Sequence, residues 1–135
     1  MQNKAFVTGA SGHLGSALTR SLSALGYQVT AGVRNITKAK LDNNIAGNIM
    51  HADLLKPDML SAAMDGADTV FQVAANFSHW SKNSQKEIIQ ANSDMVKNIF
   101  NAAHDTAVKK NYFCQFNRHI SQKHHWRNNF PEFMV

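Results

Sequence analysis

The sequence predicts an α/β protein built on a doubly wound parallel sheet, and three observations predict it. A short apolar run, Ala5 to Val7, stops at Thr8 and is followed by glycines at positions 9, 12 and 15. From Leu14 the apolar residues recur at helical spacing, with Leu14, Leu18, Leu22 and Leu25 on one face. Thr69 to Ala75 is nearly continuous in apolar residues, as a strand covered on both faces requires. Strand, glycine turn and helix in that order open a Rossmann-like sheet.

Each glycine of the turn has a distinct task. Gly9 can take backbone angles closed to other residues, Gly12 lets the main chain approach a pyrophosphate, and Gly15 lets the helix pack closely on the strand. The first-turn amides and the positive end of the helix dipole then face the phosphates. Ser11, His13 and Leu14 lie within the same turn and join the three glycines as candidate contacts of a dinucleotide. The spacing, T-G-x-x-G-x-x-G, differs from the G-x-G-x-x-G of ordinary dehydrogenases, and a tight turn without a ligand is the bland alternative. Ser11 is not a hydrolase nucleophile, because that elbow needs glycine where His13 stands.

The remaining elements follow in order. The first helix is expected over His13–Leu25, closed by Gly26, and Tyr27 to Val33 as a second strand parallel to the first. The residue after this strand normally meets the adenosine ribose, where an acid would hydrogen-bond a 2′-hydroxyl. Here stands Arg34, followed by Asn35; a guanidinium fork suits a 2′-phosphate, so NADP is favoured over NAD. A solvated basic turn, with Lys38 and Lys40 nearby, is the alternative.

Asn48 to Ala52 reads as a third strand ending at Asp53-Leu54, where the carboxylate can accept from an adenine amino group, cap the next turn, or do both. Pro57 starts a short helix, Asp58 to Met64. The fourth strand runs over Thr69–Ala75 and leads into a loop holding Ser78, His79 and Trp80. A long amphipathic helix, Lys82 to His104, follows, with a buried stripe of Ile88, Ile89, Met95, Val96, Ile99, Phe100 and Ala103. Asn92 and Asn98 lie beside that stripe, and Ala107 to Lys110 would lead into a fifth strand. The expected sheet order is 3-2-1-4, with the fifth strand beyond.

At 135 residues the chain fits one domain with a substantial core, and it is short for a complete dinucleotide fold plus a substrate domain. No apolar run has membrane-spanning length, and a lone Cys114 excludes a disulfide framework and favours a cytoplasmic location. The net charge of +5 is uneven: +1 up to Val108 and +4 from Lys109 onward.

Together these residues resemble the extended short-chain dehydrogenase/reductases, the NAD(P)-dependent epimerase/dehydratase family, and within it the dihydroflavonol reductase-like and sugar epimerase-like members. The resemblance is carried by T-G-A-S-G-H-L-G at 8–15, V-R-N at 33–35, D-L at 53–54, V-F-Q-V-A-A at 70–75 and the helix beginning near Asn92. It implies cofactor contacts by Gly9, Gly12, Gly15, Arg34, Asp53, Leu54, Ala74 and Ala75. The family helix often reads N-x-x-G-T-x-N; this chain keeps Asn92 and Asn98, with Met95-Val96 between them. The chemistry that the resemblance implies is hydride transfer to or from a carbonyl or sugar carbon. It needs a Ser or Thr after the fifth strand, then Tyr with Lys four residues on. Tyr27 has Ala31 and Tyr112 has Phe116 at that spacing, so no catalytic residue is assigned.

Residues 1–110 are therefore read as the N-terminal portion of a nucleotide-binding domain, incomplete at its C-terminus and inactive alone. Residues 111–135 form an atypical basic, aromatic tail holding half of the chain's twelve aromatics. Cys114 with His119, His124 and His125 fits no regular zinc spacing, so no metal is assigned. A one-base shift across the codons for 111–116 permits Ile-Ile-Phe-Val-Ser-Ser, an apolar strand ending in two serines, so a frameshift is one reading of the tail. An off-frame tail would leave the fourth strand's edge poorly covered. The rival readings are a non-catalytic NADP-sensing or interaction module and, less favoured, single-stranded nucleic-acid binding through the tail. A small-molecule substrate is expected only for a full-length relative.

Overall fold

The computed structural model describes residues 2–39, 41, 47–74 and 84–113 of the chain. They form five parallel strands, β1 (Lys4–Thr8), β2 (Gln28–Val33), β3 (Gly47–His51), β4 (Thr69–Gln72) and β5 (Lys110–Phe113), in the order β3-β2-β1-β4-β5. Three helices connect them: α1 (His13–Ala24), α2 (Pro57–Met64) and α3 (Ser84–Asp105). The expected order 3-2-1-4 is the one observed, and the fifth strand is present.

Alternation along the strands divides the core between the two faces of the sheet. Ala5, Val7, Val29, Ala31 and Val33 pack with Leu22 and the half-buried Leu18 of α1. Phe6 and Val70 pack on the other side with Leu60, Ala63 and Met64 of α2 and with Met95, Ile99, Ala102 and Ala103 of α3. Register follows from this: Val7 sits between Ala31 and Phe71, and Phe6 between Thr30 and Val70.

Two apolar stripes are narrower than expected. Leu22 and Leu18 of α1 face the sheet, but Leu14 is 45% exposed at the first turn and Leu25 is 75% exposed as the C-cap. In α3 the buried residues are Met95, Ile99, Ala102 and Ala103, whereas Ile89 is 60% exposed, because the described strands and helices cover only the later turns. Both helices end in the same way. After α1 the amides of Gly26 and Tyr27 donate to the carbonyls of Ser23 and Leu22, with Gly26 at φ 86°. After α3 the amides of Ala107 and Val108 donate to His104 and Ala103, with Ala107 at φ 56° in the position that favours glycine.

The edge of β4 is not bare. β5 pairs with it from Thr69↔Lys110 to Gln72↔Phe113, three residues past the point where the sequence changes character. Asp68 holds the start of this ladder: its carbonyl accepts the amides of Lys109 and Lys110, and its carboxylate accepts the Lys4 amide at 3.0 Å and Lys109 Nζ at 3.1 Å. The poorly covered edge expected of an off-frame tail is not observed, since β5 pairs along β4. The rest of the tail, from Cys114 and including His119, His124 and His125, lies outside the described residues.

Candidate dinucleotide site

The parallel order brings the C-terminal ends of β1, β2, β3 and β4 to one edge of the sheet. At the end of β1, Gly9 has φ 62°, a conformation that strains any residue with a Cβ. A Cβ there would also lie 2.9 Å from the Cα of Ala74. The Gly12 amide closes the turn onto the Gly9 carbonyl at 3.0 Å, and the Ala10 amide reaches the Gly32 carbonyl of β2 at 3.3 Å. Gly15 is buried in the first turn of α1, and a Cβ on it would collide with the Gly9 carbonyl oxygen. The glycine at 15 thus keeps the helix on the turn itself as well as near the strand.

Gly12 is the N-cap of α1, no side chain caps this helix, and its first turn carries no acidic residue. The first-turn amides have no intrahelical partner by geometry, so the helix offers donors and a positive dipole end to an anion. Ser11, Gly12, His13 and Leu14 are all exposed around it. A dinucleotide's pyrophosphate fits this cradle, since at the exposed Gly12 an added Cβ would meet only the Gly9 carbonyl oxygen, at 3.4 Å, and the space outside it is open.

A buried cross-link that the sequence reading missed sets the far wall. The Thr8 hydroxyl accepts the amides of Val73 at 3.0 Å and Ala74 at 3.2 Å, and donates to Gln72 Oε1. Amides can only donate, so the single hydroxyl proton must go to Gln72, whose Nε2 then donates to the Ala74 carbonyl at 2.8 Å. These bonds replace the ladder beyond Gln72, which is why β4 stops there although the apolar run continues to Ala75. Gln72 is only 5% exposed. A lone amide in an otherwise apolar strand was the available signal, because buried polar groups are almost always paired.

At the end of β2, Arg34 is exposed and Asn35 organises the turn behind it. Asn35 Oδ1 accepts from Thr37 Oγ1 at 2.7 Å and from the amides of Thr37 and Lys38 at 3.0 and 3.2 Å. At the end of β3, Asp53 Oδ1 accepts the Leu55 amide at 3.0 Å, so the capping role exists. The Leu54 side chain is buried in the core, which leaves its backbone as the part that can meet a ligand. Asp53 Oδ2 and the Leu54 amide have no partner among the described residues. From α3, Asn98 Nδ2 donates to the Leu54 carbonyl at 2.9 Å.

The structure therefore gathers Gly9, Ser11, Gly12, His13, Leu14, Gly15, Arg34, Asp53, Leu54 and Ala74 along one edge. Ala75, Ser78, His79, Trp80 and Lys40 lie outside the described residues. Among the described residues no helix is long and apolar enough to cross a membrane.

Comparison with known proteins bears on the same residues. The model of the NAD-dependent epimerase/dehydratase family matches residues 5–116. The chain belongs to this family. It is 34% identical over 110 residues to dihydroflavonol 4-reductase of Zea mays, a match covering 76% of this chain and 31% of that protein. Among solved structures it is similar to gox2253, with a TM-score of 0.73, 29% identity and coverage of 84% of this chain and 34% of the other. A short-chain dehydrogenase/reductase superfamily protein of Agrobacterium tumefaciens with bound NAD shares the fold at a TM-score of 0.67 and 22% identity. That match covers 82% of this chain and 32% of the other. The epimerase/dehydratase chain spans about a third or less of the length of the curated relatives it matches. The family match ends at Phe116, three residues beyond β5.

Proposed function

We propose that this chain binds NADP(H), with the pyrophosphate on the glycine turn and the 2′-phosphate on Arg34. The observation that carries the reading is the uncapped start of α1 behind Gly9, Gly12 and Gly15, joined by Arg34 where an acid would select NAD. The adenine ring is assigned to the Asp53-Leu54 turn. Adenine's Watson–Crick edge presents an amino donor beside a ring-nitrogen acceptor, and the free Asp53 Oδ2 and Leu54 amide are an acceptor beside a donor. Bound nucleotide supplies a hydride at its nicotinamide; the Thr8–Gln72 cross-link holds the strand end nearest that ring.

In a full-length relative the proposed reaction is hydride exchange between NADP(H) and a carbonyl or sugar carbon. The substrate of such a relative is a small molecule. This chain on its own binds nucleotide without turnover, since it carries no Tyr with Lys four residues on.

Fluorescence titration with NADPH and NADH tests the reading. NADPH is expected to bind more tightly, and Arg34→Asp to remove about tenfold or more of that preference by replacing a bidentate cation with a repelling charge. Equal affinity of the wild type for both nucleotides would refute the assignment of Arg34. No binding of either would refute the site.

A further inference from the structure

The geometry points to Asn98 as a positioning residue that aims Asp53 at the adenine ring, an inference that rests on the nucleotide reading above. The peptide unit between Leu54 and Leu55 is held at both ends. Its carbonyl accepts from Asn98 Nδ2 at 2.9 Å, and its amide donates to Asp53 Oδ1 at 3.0 Å. Asp53's own carbonyl accepts the Lys56 amide at 2.9 Å, and the Ala52 amide donates to the Val33 carbonyl of β2 at 2.9 Å. With Oδ1 accepting the Leu55 amide, Oδ2 has no partner among the described residues and is open to accept from a ligand.

Asn98 is the only one of these partners that reaches the turn from a helix. It sits one residue before Ile99, which is fully buried against the β3–α2 side of the core, so its amide is carried on a rigid support. Donation to the Leu54 carbonyl also polarises the same peptide, and a polarised peptide makes its N–H a stronger donor to Asp53. Without Asn98 the peptide is held only at its Asp53 end, so the donor to Oδ1 is no longer fixed from the helix and the aim of the carboxylate loosens.

The test compares NADPH with its hypoxanthine analogue, in which a carbonyl replaces the adenine amino group and the neighbouring ring nitrogen carries a proton. Donor and acceptor are thereby exchanged at both positions. The wild type is expected to prefer NADPH by about tenfold or more, the discrimination of paired hydrogen bonds made against unmade. In Asn98→Ala, and in Asn98→Asp, which keeps the shape but not the donor, that preference should fall to about twofold or less, with NADPH affinity lost and analogue affinity nearly unchanged. The preference for NADPH over NADH, set at Arg34, should persist, and thermal melting without ligand shows that each variant is folded. Equal loss of affinity for both nucleotides, or an intact preference in the variants, overturns the role of Asn98. A wild type that binds NADPH yet does not discriminate overturns the adenine assignment as well. A wild type that binds neither overturns the proposed function itself.

Discussion

At Gly15 one added methyl group is enough to break the glycine turn. Its Cβ would collide with the Gly9 carbonyl oxygen, and that oxygen is already held by the Gly12 amide, so neither side can yield cheaply. Gly15→Ala is expected to cost about 3 kcal/mol of stability, the range of severe steric changes at special backbone positions, and to abolish NADPH binding. Urea melts and the nucleotide titration check the two effects separately. Gly26 makes a useful contrast, because its added Cβ would meet nothing within 4 Å and only its φ of 86° opposes substitution. The harm at Gly15 thus comes from lost space, and the harm at Gly26 from backbone strain.

At the scale of elements, the decisive contact joins two strand ends through a side chain. Thr8 closes the gap between β1 and the exit of β4 by serving three partners with one hydroxyl. Thr8→Val keeps the shape and removes the hydroxyl, leaving two amides and the Gln72 oxygen unpaired. The expected cost is about 2–4 kcal/mol, because the buried Gln72 oxygen left unmet costs about 1–3 kcal/mol and the two half-buried amides, which water can reach, add less. Thr8→Ser keeps the hydroxyl and should recover most of it. Denaturant midpoints of the three proteins test the point: a Thr8→Val protein as stable as the wild type would show that the cross-link contributes nothing. Loss of the contact also loosens Ala74, whose backbone lies against Gly9, so nucleotide affinity should fall with stability.

At the scale of the whole described fold, the candidate site lies at the carboxyl end of the sheet and a charged fastening at the amino end. At the amino end Asp68 ties β1, β4 and β5 together, with its carboxyl held below the ordinary aspartate value of 3.8, first by the Lys4 amide and then by the Lys109 side chain. A carboxyl whose pKa falls on folding stabilises fully above its unfolded value, and the contribution disappears as pH drops through the folded value. Asp68→Asn should therefore cost more stability at about pH 7 than at about pH 2, because the contribution of the charged carboxylate declines as pH falls through the folded value. Because Lys109 is 75% exposed, its share should shrink in high salt while the backbone share persists. Melts at the two pH values, with and without salt, read all of this. An Asp68→Asn effect that is the same at both pH values would assign the loss to shape and not to charge.

The glycine turn, the strand order and the Arg34 position were legible in the sequence because each is a local matter. A positive φ needs glycine at that residue, a right-handed crossover fixes the neighbour of a parallel strand, and the residue after a strand ends up at its carboxyl edge. Buried stripes were legible only in part: Leu22 and Ile99 could be placed, but Leu14 and Ile89 could not. Helical spacing names a face without saying how far along the helix the sheet reaches. The contacts that complete the site were decided by the tertiary structure alone. Thr8 meets a partner 64 residues away and Asn98 one 44 residues away. No short-range pattern distinguishes a polar side chain that will meet such a partner from one that will meet water, and only the closed sheet, by excluding water from Gln72 and steadying Asn98, makes the distinction.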